Sequence, residues 1–254
     1  MFKQDTDREW EKYGKEDPYY GVITCEKFCQ ANLNKASKEE FFASGSKYID
    51  KIIDNVRQHL NQDCVIERAL DFGCGVGRLV MPLAKISKEV TGIDVSESML
   101  NEARKNCAES SIENVRFVKS DDNLSCLNSK YDFIHSFIVF QHIPPLRGEK
   151  IFRQLLSHLE DGGIGVIHFT YKKANRVDEK IVYFLRNNIP FASSFISILR
   201  GKGLHVPQMQ MNTYNLNRVL SIMQETGVRN FYTEFTQHAN VSGVIFYFKK
   251  SQLS

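Results

Sequence analysis

Within "ALDFGCGVGRLVMPLA" (Ala69 to Ala84), Asp71 is followed by Gly73, Gly75 and Gly77 at alternate positions, and then by an apolar run. Glycine allows positive φ and brings backbone close to a ligand that a Cβ would hold off. A glycine turn between a strand and a helix, in a parallel α/β sheet, lies where such sheets bind ligands. The helix that follows would add unpaired N–H groups and a positive dipole end. A second acid, Asp94, ends the run "EVTGID" roughly 20 residues on, where a carboxylate can accept both hydroxyls of a ribose. The third glycine of the dinucleotide fingerprint G-x-G-x-x-G would fall at position 78. That residue is Arg78, and the spacing is G-x-G-x-G, which counts against NAD. Farther on, His142 in "FQHIPP" follows the fourth strand-like run and is the candidate general base. His135 and His168 lie inside apolar runs and read as core histidines.

Five elements must position these groups. The runs "RALDFG", "EVTGIDV", "VRFVKS", "YDFIHSF" and "GIGVIHFTY" read as strands, with helices near Arg78–Ile86, Ser96–Glu109 and Gly148–Leu159 between them. The alternation predicts βαβ units and a mostly parallel sheet. A helix near Leu216–Thr226 and the runs "RNFYTEFTQH" and "GVIFYFKK" then predict a closing antiparallel hairpin. The expected fold is α/β: a Rossmann-like doubly wound sheet with helices on both faces and an N-terminal helical cap over residues 1–60. The catalytic domain would fill residues 61–254, with a substrate-lid insertion at about 172–211. Within the cap, Ile49, Ile52, Ile53, Val56 and Leu60 fall at helical spacing, with Ser46 as the expected N-cap.

The chain of 254 residues is 42% hydrophobic and 25% charged, with a formal net charge of +3. That balance gives no reason to expect a polyanionic partner, so no nucleic acid is expected. No signal peptide and no transmembrane run is read, and peripheral membrane contact is not favoured. The six cysteines show no zinc spacing and read as reduced thiols of a cytoplasmic protein, with no metal site expected.

In the order "ALDFGCGVGR…VTGIDVSESMLNEARKNC…VRFVKSDD…YDFIHSFIVFQHI…LEDGGIGVIHF", the chain from Arg68 to Thr170 resembles the class I S-adenosylmethionine-dependent methyltransferases. The resemblance implies that Asp71, Gly73, Cys74, Gly75 and Gly77 hold the methionine moiety of that cofactor. Asp94 would bind the ribose, with Val95 and Met99 beside the adenine, and Asp121 or Asp122 would reach the adenine amino group. Ser136 and Phe137 would floor the site near the sulfonium. The stretches "EWEKYGKEDPYYGVIT" and "FFASGSKYI" resemble the lead-in of bacterial small-molecule and glycan methyltransferases. They place Trp10, Tyr13, Tyr20 and Gly45, with Gln141, as candidates around the substrate. The tetrad after strand four of amino-methylating nucleic-acid enzymes is replaced by "SFIV", and no Pro-Cys dipeptide or paired-glutamate loop occurs. What remains is transfer to a hydroxyl, with an amine second, of a small molecule or sugar. A nicotinamide-dependent dehydrogenase and a non-catalytic cofactor-binding module are the alternatives.

Overall fold

The computed structural model describes residues 6–173, 209–238 and 240–251. Among these residues seven strands form one sheet in the order β3-β2-β1-β4-β5-β7-β6. They are β1 (Ile66–Phe72), β2 (Ser87–Asp94), β3 (Val115–Lys119), β4 (Tyr131–Ser136), β5 (Leu159–Lys173), β6 (Val228–His238) and β7 (Val241–Lys250). Strands β1 to β5 are parallel, and β7 runs antiparallel between β5 and β6. The register pairs Phe72 with Ile93, Asp94 with Lys119, and Asp71 with His135. The carboxyl ends of β3, β2, β1 and β4 therefore form one row, the edge at which open α/β sheets bind ligands.

Alternation along the strands sends side chains to two cores. On one face Leu70, Phe72, Ile134, Ile167, Phe169, Phe246 and Phe248 pack against α6 (Pro145–His158) and α7 (Leu216–Glu225). On the other, Ala69, Phe133, Val166, Ile245 and Tyr247 meet Ile49, Ile52 and Val56 of α3 (Lys35–His59). Leu83 of α4 (Val80–Ala84) and Leu100 of α5 (Glu97–Glu109) join this second core. Helices on both faces of a mostly parallel sheet complete the Rossmann-like arrangement. The buried Lys250 donates to the carbonyls of Leu156 and Leu159 where α6 ends, a cationic cap from the last strand.

A third cluster, Tyr13, Tyr19, Phe28, Phe41, Val76 and Met99, joins the N-terminal helices α1 (Thr6–Glu16) and α2 (Pro18–Val22) and the start of α3 to the glycine loop and α5. Here two expectations are corrected. Helix α3 begins at Asn34, whose side chain caps Ser37 N–H in a reciprocal capping box, so Ser46 lies mid-helix rather than at an N-cap. The expected helix Arg78–Ile86 shrinks to five residues, all buried, with Pro82 in its first turn, and β2 starts at Ser87. A helix that short contributes little macrodipole to the loop before it. Of the expected insertion at about 172–211, Lys172 and Lys173 extend β5. Residues 174–208 lie outside the described residues.

Candidate cofactor-binding pocket

The row of strand ends opens into a pocket lined by Asp71, Gly73, Cys74, Gly75, Asp94, Val95, Met99 and the segment Ser120–Asp122. Phe137, Ile138, Val139, His142 and Ile143 form another wall, and Thr6, Asp7, Trp10, Gly21 and Val22 of the N-terminal helices approach from above. The loop after β1 turns through positive φ at Gly73 (75°) and Gly75 (52°). A Cβ on Gly73 would stand 2.4 Å from Val139, and one on Gly75 would stand 2.8 Å from Val22. Only glycine leaves both backbone strands of the cradle bare. Asn106 of α5 fixes the loop, donating from Nδ2 to the Val76 carbonyl (3.0 Å). On the opposite wall Ile138 holds φ at 59°. A β-branched residue in that region is strained, and such strain gathers at ligand sites.

Asp94 organises the centre. Its Oδ2 accepts from Gly75 N (2.9 Å) and its Oδ1 from Ser96 N (2.9 Å), joining the glycine loop to the start of α5. Burial raises its carboxyl pKa to about 6, the bonds from Ser96 and Gly75 offsetting only part of that push. Asp71, almost wholly buried, accepts from His135 Nδ1 (2.8 Å), and Tyr48 O–H donates to the other ring nitrogen (3.3 Å). His135 is thus a satisfied core histidine. His168 is buried too, with Nε2 on Thr236 Oγ1 (2.9 Å), but its Nδ1 has no partner among the described residues.

His142 lines the pocket edge-on to Trp10, with ring centroids 4.9 Å apart. Its Nδ1–H donates to the Gln210 carbonyl (2.7 Å), and its Nε2 accepts from the Gln141 amide (3.1 Å). Burial lowers its pKa to about 4 despite the Gln210 bond. Both ring nitrogens being engaged, this arrangement holds the imidazole neutral and fixed, which suits a wall better than a proton acceptor.

Of the cofactor candidates from sequence, Asp71, Gly73, Cys74, Gly75, Asp94, Val95, Met99, Asp121, Asp122 and Phe137 line the pocket, as does Trp10 of the cap. Gly77 does not: with φ at 86°, its Cβ position faces Ala103 (3.4 Å), so it sets how closely α5 packs on the loop. Ser136 points back into the sheet, donating to the Phe72 carbonyl (3.1 Å). Gln141 lies behind His142, where Thr170 donates to it (3.0 Å). Tyr13 belongs to the aromatic cluster of the cap, and neither it nor Tyr20 reaches the lining. Gly45 packs against Arg78. The two acids after β3 differ in state. Asp121 accepts from Asn123 N, Ser125 N and the Ser125 hydroxyl, closing its own turn, whereas Asp122 is bound by Arg147.

Sequence reasoning missed two arginines. Arg147 donates from Nε to Asp122 (2.7 Å) and from both terminal nitrogens to Asp7 (2.8 and 2.7 Å), tying α1 to the loop after β3 across the pocket. Arg78 lines the pocket at the foot of the glycine loop. Its replacement of the third glycine was the available signal. For Arg147 there was none, because its partners lie 25 and 140 positions away. Helix α1 is docked a second time by Glu11, which accepts from Ser96 Oγ, Ser98 N and Ser98 Oγ at the start of α5. Burial raises the Glu11 pKa, but those bonds outweigh it and bring the carboxyl down to about 2.

Comparison with known proteins agrees with this geometry. Residues 69–163 match the family model described as a methyltransferase domain. A 23S rRNA (uracil(1939)-C(5))-methyltransferase of Shewanella sediminis is 46% identical over 55 residues, covering 22% of this chain and 12% of that protein. The ubiquinone biosynthesis O-methyltransferase of Rickettsia canadensis is 27% identical over 119 residues, covering 47% of this chain and 49% of that one. The chain thus spans half or less of these relatives. Among solved structures, the magnesium protoporphyrin IX methyltransferase of Synechocystis PCC 6803 with bound S-adenosylmethionine superposes with a TM-score of 0.63 at 18% identity. That superposition covers 99% of this chain and 100% of that one. Residues 69–163 are similar in sequence to a methyltransferase domain, and the chain as a whole shares the fold of the class I methyltransferases.

Proposed function

We propose that the pocket binds S-adenosylmethionine and that the protein transfers its methyl group to a small molecule or sugar, to a hydroxyl foremost and an amine second. The observation that carries this reading is the Gly73–Gly75 cradle joined to Asp94 at the row of strand ends. It offers bare backbone beside a carboxylate at ribose distance along the sheet. When bound, the cofactor supplies an electrophilic methyl on a sulfonium for in-line displacement. The residues of this chain position it: Asp94 for the ribose hydroxyls, Met99 and Val95 beside the base, Asp122 with Arg147 at the end of β3, and Phe137 and His142 as the wall beyond β4. Holding reactants at near-attack distance can itself supply several kcal/mol.

A small acceptor is favoured because Trp10 and Val22 of the N-terminal helices narrow the pocket over the glycine loop. The Rickettsia and Synechocystis proteins are named for methyl transfer in ubiquinone biosynthesis and to a porphyrin. The rRNA enzymes match over 55 to 120 residues but only 12% to 26% of their own length, so the preference for a small acceptor rests on the pocket rather than on the relatives. No described helix is long and apolar enough to cross a membrane. The test is calorimetric titration with S-adenosylmethionine, S-adenosylhomocysteine and NAD in parallel. Micromolar binding of the first two with no binding of NAD is expected. Binding of NAD alone would make the pocket that of a nicotinamide-dependent dehydrogenase. Cofactor binding with no turnover across hydroxyl and amine acceptors would leave a non-catalytic module.

A further inference from the structure

Among the described residues no carboxylate forms an ion pair with Arg78. Its Nε is fully buried with no hydrogen-bond partner among the described residues, and Nη1 donates to Ser44 Oγ at 3.3 Å. The Ser44 hydroxyl is itself turned to the Phe41 carbonyl (2.6 Å), leaving its lone pair for the guanidinium. Asp71 acts on Arg78 through space, but its Oδ1 is taken by His135. The contrast with Arg147, at the other end of the same pocket and bound by two carboxylates, is direct. Buried charges are ordinarily paired, since leaving donors unsatisfied in a low dielectric costs several kcal/mol.

The side chain is also held in place. A Cβ at Gly45 would stand 2.3 Å from the Arg78 carbonyl oxygen and 3.0 Å from its Cγ. Helix α3 therefore presses onto Arg78 at the one point where it carries no side chain, pinning the stem of a residue that lines the pocket. Along the row of strand ends, a nucleoside with its ribose at Asp94 and its base toward β3 leaves its remaining substituent over the β1 loop. At that end lie one acid, Asp71, and one unpaired cation, Arg78, the complement of an ammonium and a carboxylate on one carbon.

We infer that Arg78 binds the α-carboxylate of the cofactor's amino-acid end and makes the pocket select the complete cofactor over analogues that lack this group. The inference rests on the proposed S-adenosylmethionine site. Its test compares S-adenosylmethionine with its decarboxylated form, which keeps the sulfonium and the amine, by calorimetry on the full chain. The wild-type protein is expected to prefer the complete cofactor by about 10- to 100-fold, the range for a charged hydrogen-bonding partner. Arg78→Met is expected to remove most of that preference, weakening S-adenosylmethionine by the same factor while leaving the decarboxylated compound within about twofold. Arg78→Lys should recover part of it, as a point charge without the planar fork. Equal losses for both compounds in Arg78→Met, or no preference in the wild type, would overturn the inference. If Arg78→Met fails to fold, as circular dichroism would show, the wild-type preference and Arg78→Lys decide. Wild-type protein that binds neither compound would instead overturn the reading of the pocket itself.

Discussion

Asp94 does two jobs with one carboxylate, and they respond to pH in opposite directions. In the free protein burial raises its pKa from 3.8 to about 6. The folded state therefore binds this proton more readily than the unfolded chain, and stability falls as pH rises from about 4 to about 6. Cofactor hydroxyls donate to the ionised form, so affinity should weaken as pH falls through about 6, roughly tenfold per unit below it. Asp94→Asn should bind S-adenosylmethionine at least about tenfold more weakly, with a flat pH dependence. An affinity that is flat in the wild type as well would remove Asp94 from the ribose. At the same scale, His142 stays neutral down to about pH 4, so a rate limb near pH 6.5 would belong to another group.

At the scale of elements, two glycines of one loop should fail differently. Gly75→Val places a branched side chain against Val22 and in ligand space, at φ 52°. It should abolish measurable cofactor binding. Gly77→Ala lies outside the lining, but at φ 86° beside Ala103 it should cost about 1–3 kcal/mol of stability. Urea denaturation would show that as a lowered midpoint, with binding nearly kept under native conditions. The reverse pattern would exchange their roles. The strand–glycine–helix order was legible from sequence because its signals are local: alternation, bare backbone, and acids at the ends of β1 and β2. All seven strands came through that way. Helix α3 was read too short because its start is signalled at Asn34 and Ser37, ahead of an aromatic stretch that looked irregular. Helix α4 was read too long because its apolar run is buried all round, which periodicity cannot delimit. The roles of Arg78 and Gly45 became visible only when α3 was laid across the loop.

The whole molecule closes its pocket by bringing together segments far apart in the chain. Arg147 holds Asp7 of the N-terminal helix and Asp122 of the sheet edge at once, and Glu11 docks the same helix on α5. Arg147→Ala should loosen α1 in the free protein, weakening the cofactor about 5- to 10-fold and speeding limited proteolysis within residues 6–16. Unchanged cleavage would mean that Glu11 and the aromatic cluster hold the helix without the arginine. The order of strands has a consequence of another kind. Strand β7 is made after β6 yet lies inside it, against β5. Until residues 241–250 leave the ribosome, β5 presents a long, mostly apolar and unpaired edge, and β6 has no neighbour on which to form. The hairpin must add as a unit, after β5 has formed. During that interval the nascent chain is most exposed to aggregation, and help from a chaperone would matter most.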